Sequence, residues 1–454
     1  MAAPNDDPGT STAAAKGGSA KPRGKGGGKA QKLVAPRGTH DVLPDETARR
    51  RRIEDVATLV LEGAGYRRIE TPIFEDTDLF ARGVGGSTDV VQKEMYTFED
   101  RGDRSLTLRP EGTAGVVRAY LEHGMHKLPQ PVKLWYWGPF FRYERAQKGR
   151  QRQFWQLGIE SLGSDDPSVD AEGIVLLHRI LQDLGVPGLR LRLGSLGTPA
   201  GRAGYRETLV AYLREHEDRL SDEVRERIDL NPLRAFDSDH PGTTEVMQGA
   251  PLLLDHLPAE DTEHFHEVRA LLDGAGVTYE VDPTLVRGLD YYSRTLFEFT
   301  SDALGAQSGV GGGGRYDGLA ELIGGPATPG FGWGAGIERI LLAQAAGHPD
   351  DPDHPEPGHD AEPEGLNAAD LYVAWTEGHR RAAFDLADAA AREGLAVRLD
   401  QAPGRGLKGQ IRRAERSGAR TIIVVDDEGI RVDRAPGGRA SGLTVADALA
   451  AARV

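Results

Sequence analysis

In "RRRRIEDVATLVLEGAGY", residues 49–66, apolar side chains recur at Ile53, Val56, Ala57, Val60 and Leu61. That spacing stacks them on one side of a helix, which Gly63 or Gly65 should end. Arg49, Arg50, Arg51 and Arg52 read as its solvated face. A second short helix is predicted in "AGVVRAYLEHG", directly after "LRPEGT". From residue 132 the period changes. "VKLWYWG", "FRYER" and "FWQLGIE" carry the aromatic content and two-residue alternation of strands, and the Gly138-Pro139 step predicts a hairpin-like break between the first two. Residues 198–275, rich in Leu, Arg and Glu at helical spacing, predict a helical insertion. Beyond 367, "DLYVAW", a helix near 380–393, "AVRL", a helix near 407–416, "RTIIVVD" and a closing helix alternate as a small α/β domain.

Two stretches break this patterning. Residues 1–32 are Gly, Ala, Lys and Ser with almost nothing to bury, which predicts a disordered tail lacking the apolar core of a signal peptide. Residues 344–366 include "GHPDDPDHPEPGHDAEPEG", a Pro-stiffened acidic stretch without Lys or Arg. It reads as a linker, and its His348, His354 and His359 lack a fixed backbone to make them metal ligands. The domain plan is therefore a tail at 1–32, a large mixed domain at 33–343, a linker at 344–366 and a terminal domain at 367–454.

The chain has 454 residues, 39% of them hydrophobic and 28% charged, enough for two or three domains with cores. No apolar run approaches the roughly 20 residues that span a bilayer, so no membrane role is expected. The absence of cysteine removes disulfides, thiol catalysis and cysteine-ligated zinc, and fits a reducing, cytoplasmic setting. A net charge of −15 argues against non-specific nucleic-acid binding but leaves room for a local basic surface. Such a surface exists: Arg142, Arg145, Lys148, Arg150 and Arg152 fall within 142–152.

Behind that basic loop, alternation in "FWQLGIE" puts Gln156, Gly158 and Glu160 on one face and Trp155, Leu157 and Ile159 on the other. The second face is core. The first offers an amide, a bare backbone floor and a carboxylate, a bed for a small molecule with amino or imidazole donors. In "LTLRPEGTAG", Glu111 either holds a substrate ammonium or caps the following helix. "LVRGLDYYSRTLFEF" gathers Arg287, Asp290, Tyr291, Tyr292 and Arg294; on a strand the two tyrosines would face opposite sides, one to the core and one to a pocket. Arginine's fork of donors suits a carboxylate or phosphate. The four glycines before Arg315 allow close approach of a ligand, and a phosphate-cradling loop is conceivable there, without a Walker pattern. "GFGWGAGIERILL" reads as a Gly-rich strand entering a helix, with Arg339 near its start.

Taken in order, these segments resemble a known family. "FRYER…RQFWQLGIE" and "GWGAGIERILL" resemble motifs 2 and 3 of class II aminoacyl-tRNA synthetases. "RGTHDVLPDE", "LRPEGTAGVVRAYLEHG", "LVRGLDYYSRTLFEF" and "GGGGRYDGL" resemble the histidine-specific branch, across about 34–343. The resemblance implies an α+β fold: a class II catalytic domain, mainly antiparallel sheet flanked by helices, plus a C-terminal α/β anticodon-binding domain. It implies a cytoplasmic homodimer that joins L-histidine and ATP, with Mg2+, into an adenylate and transfers the histidyl group to tRNA(His). By motif, Glu111, Thr113 and Gln156 would hold the amino end of histidine, and Glu160 and Tyr292 would read the imidazole. Tyr291 would belong to the same pocket and Tyr316 would close it. Arg142 and Arg287 would grip the α-phosphate and carboxylate, Arg150 the outer phosphates, and Arg339 the adenine. Arg145, Gln147 and Lys148 would meet the tRNA acceptor end. Tyr143, Ala146 and Ser293 depart from the family's usual residues, and none of these removes a charged catalytic group.

The alternative is the family's regulatory relative, which binds histidine without charging tRNA. That relative lacks the anticodon-binding domain and tends to lose catalytic motif residues; here the terminal domain, Arg142, Arg287 and Arg339 are present.

Overall fold

The computed structural model describes residues 33–85, 88, 90–144, 149–305, 308–347, 369–401, 406–436 and 438–453. The predicted tail, most of the predicted linker with its three histidines, and Arg145, Gln147 and Lys148 lie outside them.

The first helix runs Pro44–Gly63, with Pro at its start and Asp45 and Glu46 in its first turn, where no amide partner is lost and negative charge is favoured. Ile53, Ala57, Val60 and Leu61 are buried as the periodicity requires. Gly65 ends the run at φ +84°, its N–H returning to the Glu62 carbonyl. One expectation fails. Arg50 is buried, not solvated, because Glu46 (2.6 Å) and Glu338 (2.8 Å) neutralise it.

Eight strands form the main sheet: β1 (Arg67–Arg68), β5 (Val132–Phe141), β6 (Gln153–Leu162), β7 (Leu189–Ser195), β8 (Glu280–Val281), β9 (Ser293–Ser301), β10 (Gly309–Arg315) and β11 (Gly330–Gly336), in the order β1-β5-β6-β11-β10-β9-β7-β8. Only the outer pairs β1–β5 and β7–β8 are parallel. A small antiparallel sheet holds β2 (Phe74–Asp76), β3 (Tyr96–Glu99) and β4 (Ser105–Leu108). The third holds β12 (Leu371–Trp375), β13 (Val397–Leu399), β14 (Thr421–Asp426), β15 (Gly429–Arg434) and β16 (Ala440–Leu443), with parallel β13-β12-β14 pairing and its own apolar core. Between β7 and β8 the chain is helical, with its longest helices at Ala203–Glu215 and Ala259–Gly274.

The predicted break at Gly138-Pro139 does not occur. β5 runs unbroken to Phe141, and the hairpin is made with β6. Proline is tolerated because β1 pairs only with Leu134 and Trp135, so the far edge of β5 is unpaired at Pro139. "FRYER" is accordingly strand only at Phe141. The four glycines 311–314 are likewise no loop. They lie inside β10, paired on both sides, with Gly312 opposite Glu298 and Gly334.

One face of the main sheet is apolar. Trp135, Leu157, Ile159, Leu191, Leu193, Phe297, Phe299, Phe331 and Trp333 pack there with the helices 44–63, 167–183 and 337–347. The intervening residues face the other way, and that second face carries the chemistry.

Candidate active site

Register places one row of residues across the second face: Tyr136, Gly158, Gly334, Gly312, Glu298 and Arg192, each paired with the next. Paired residues point to the same side. Of the three central glycines, Gly334 and Gly312 leave a bare floor about 5 Å wide, at the usual interstrand spacing, with Tyr136 beyond one end and Glu298 and Arg192 beyond the other. Gly158 is not open floor, as alternation alone suggested. The Tyr136 ring lies over it, and a Cβ there would come within 2.2 Å of the ring.

Beside Tyr136 lies a buried acid cluster. Glu111 accepts the Thr113 N–H at 2.7 Å and the Ala114 N–H at 2.9 Å, capping the helix Thr113–Glu122. A carboxylate has about four lone-pair sites, so capping does not by itself preclude ammonium binding. The Thr113 hydroxyl donates to Glu160 at 2.8 Å, and the Tyr316 hydroxyl donates to the other Glu160 oxygen. Burial pushes the Glu160 carboxyl well above the carboxylate range, and neighbouring Glu111 pushes it the same way. Burial also raises Glu111, and it holds the hydroxyls of Tyr136, Tyr291 and Tyr316 well above their usual range, so they remain donors.

Tyr291 and Tyr292 do not take opposite faces of a strand. β9 starts only at Ser293, and Arg294 at φ +46° departs from the pleat. The two rings instead pack together at 4.8 Å, with Tyr316 edge-on to Tyr291 at 5.7 Å. The loop carrying Arg287 and Tyr292 is tied to the helical segment: Arg202 donates to the Tyr292 carbonyl at 2.9 Å and Asn231 to Asp290 at 2.8 Å.

Arginines dominate the other end. A cavity of about 470 Å³ is lined by Arg142, Arg150, Arg192, Arg287 and Arg339, with Gln156 and Gly334 on its floor. An adjoining cavity of about 330 Å³ shares Arg142, Arg192, Arg287 and Glu298 and adds Tyr292. Arg142 is held by the Pro110 carbonyl (2.8 Å) over the Phe154 ring, and Arg339 by the Gly309 carbonyl (3.1 Å). Burial, reinforced by nearby Arg150, lowers the Arg339 pKa. Among the described residues no group of three or more His, Asp or Glu could hold a metal ion.

The expected residues thus divide. Arg142, Arg150, Gln156, Arg287, Arg339 and Tyr292 line cavities. Glu111, Thr113, Glu160, Tyr291 and Tyr316 are buried. Sequence reasoning missed Tyr136, Arg192 and Glu298. The signal for the last two was there: Arg192 alternates with Leu191 and Leu193, and Glu298 stands alone between Phe297 and Phe299.

The histidyl-tRNA synthetase family profile matches residues 38–340 of this chain. A histidine–tRNA ligase of Halorhodospira halophila is 48% identical over 393 residues, covering 86% of this chain and 89% of that protein. One of Mycobacterium bovis is 49% identical over 397 residues, covering 87% and 90%. The crystal structure of apo histidyl-tRNA synthetase from S. aureus superposes with a TM-score of 0.74 at 36% identity, covering 93% of this chain and all of that one.

Proposed function

The chain belongs to the histidyl-tRNA synthetase family, and we propose how its site divides the labour of that activity. The protein is a ligase that activates L-histidine with ATP and charges tRNA(His). The observation that carries the division is the bare floor joining a buried acid–tyrosine cluster to an arginine-lined cavity.

Histidine enters at the acid end. Glu111, Thr113 and Gln156 take its ammonium, while Glu160 and Tyr292 take the imidazole nitrogens. Tyr291 and Tyr316 wall the pocket. ATP occupies the arginine end, with Arg142 and Arg287 at the α-phosphate and substrate carboxylate, Arg150 at the outer phosphates and Arg339 against adenine. The nucleophile is the substrate's own carboxylate. The protein therefore needs no activated side chain, only alignment and stabilisation of charge developing on phosphorus. Mg2+ belongs to this proposal as a partner of ATP, neutralising its outer phosphates. The protein's described residues offer it no cage of their own.

For tRNA, the proposal assigns Arg145, Gln147 and Lys148 to the acceptor end. Support comes from the chain on either side, since Glu144 and Gly149 line the ATP cavity. The terminal domain 367–454 would read the anticodon. A homodimer is also proposed, supported by the exposed Phe74–Phe98 pair on the small sheet, and a cytoplasmic location, where charged tRNA is consumed. The regulatory reading is not favoured, because the relatives matched over most of the chain are named as ligases.

Histidine-dependent ATP–pyrophosphate exchange, followed by charging of tRNA(His), tests the whole. Histidine binding without exchange would return the regulatory reading.

A further inference from the structure

Arg287 lies outside any strand or helix, on the loop before β9. Among the described residues its hydrogen-bond acceptor is Glu298, at 2.5 Å from Nη1. Its Cζ hangs over the strand at Gly312, where a Cβ would come within 3.3 Å. Glu298 is the opposite case: it sits in β9, paired with both β10 and β7. Its second oxygen faces Arg192 Nη1 at 3.5 Å, and Arg192 is anchored through Nε to Asp282 at 2.7 Å. The result is a row of alternating charge, Asp282–Arg192–Glu298–Arg287, that begins on rigid sheet and ends at the arginine facing both cavities.

A carboxylate in a cavity meant for a polyphosphate weakens ground-state attraction of that ligand. Such a group is useful only if it gains more in the transition state than it loses in binding. We propose that Glu298 is a positioning residue. It holds one edge of the Arg287 guanidinium so that the remaining donors of the fork point at the reacting phosphorus, and Arg192 keeps Glu298 itself in register. This rests on the reading of Arg287 as the α-phosphate contact. A misplacement of that fork by about 1 Å costs on the order of 10²-fold in rate.

The test is steady-state ATP–pyrophosphate exchange by the full chain. Glu298→Ala should lower kcat about 10- to 100-fold while the KM for ATP stays level or falls, since a negative charge has left the cavity. Glu298→Gln, which keeps an oxygen acceptor and the side-chain volume, should recover most of the kcat. In an Arg287→Ala background, Glu298→Ala should add no further loss, because its effect runs through Arg287. A raised ATP KM with unchanged kcat, or losses that multiply in the double variant, would overturn the proposal. So would a higher half-saturating Mg2+ concentration in Glu298→Gln, which would make Glu298 a ligand of the ion. Near-normal exchange by Arg287→Ala sinks the reading of Arg287 itself. An inactive Arg287→Ala beside a fully active Glu298→Ala sinks only this inference.

Discussion

Glu160 is wholly buried and takes hydrogen bonds from Thr113 and Tyr316, whereas Arg150, on the wall of the arginine cavity, is half exposed and meets one carboxylate oxygen at 3.4 Å. The acid end keeps its carboxyls dry, crowded by donors and pushed towards the neutral form by burial. The arginine end keeps its charges partly solvated and more lightly held, Arg339 by one carbonyl, Arg287 by one carboxylate, and Arg142 by one carbonyl with Glu144 at 3.9 Å. The two arrangements suit two tasks. A buried polar pocket leaves groups unpaired with any wrong amino acid and so discriminates. A row of partly solvated guanidiniums attracts any polyphosphate and can follow it as charge shifts. On the proposed division of labour, selectivity belongs to the first end and rate to the second.

Substitution at each end should therefore move a different parameter. The largest effect is expected at Glu160. Glu160→Ala should reduce kcat/KM for histidine by about 10³–10⁴, in the range a lost polar recognition group can reach, while the KM for ATP changes little. Exchange kinetics with each substrate varied in turn would check this, and an equal rise in both KM values would erase the distinction between the ends. Next comes Arg287. Its Ala variant should slow adenylate formation by about 10²–10³, the loss of one preorganised donor, with histidine binding weakened much less. Arg287→Lys should rescue poorly for want of a fork.

A third substitution probes the floor between the ends. A Cβ at Gly332 would sit 1.9 Å from Glu160 Oε2 and 2.5 Å from the Ile159 carbonyl, whereas one at Gly334 meets nothing closer than the Gln156 amide at 3.4 Å. Gly332→Ala should cost about 1–3 kcal/mol of stability. Gly334→Ala should fold normally yet lose ATP affinity by filling the cavity floor. Denaturant melts of the two side by side give the answer, and equal midpoints would contradict it.

The smallest expected effect is on pH dependence. Glu160 is raised in the folded protein, so its contribution to stability is fully present below the ordinary carboxyl range and is lost as pH climbs through the raised value. Unliganded Glu160→Gln should show a shallower decline across that window than the parent. Thermal midpoints taken between pH 4 and 8 would reveal the difference.

Much of this arrangement could be read from the chain. Two-residue alternation in "FWQLGIE" was enough to separate Glu160 and Gln156 from Leu157 and Ile159, because one buried face imposes its period on the other. Helix Pro44–Gly63 was legible for the same reason at period 3.6. What could not be read was whatever depends on a partner far away in sequence. The ring over Gly158 comes from Tyr136, set there by register between two strands. Glycines 311–314 have no side-chain pattern, so only their neighbours on both sides make them a strand. Arg50 looked solvated because Glu338 lies 288 positions away. Tyr291 and Tyr292 were misassigned because the strand begins only at Ser293, and nothing in the local sequence marks that boundary.

The glycine row has a bearing on how this enzyme can change. Walls made of side chains, such as Arg142, Gln156 and Arg339, have torsions and can be reshaped one residue at a time. A floor of Gly334 and Gly312 has no rotamers. Its height is set by ladder hydrogen bonds alone, and any alteration must move whole strands. Such a surface is a fixed datum against which the adjustable parts are gauged. A lineage can retune its walls freely while every variant still reads the same flat substrates from the same level, and a compound lying flat on that floor would meet a surface with few single-residue routes of escape.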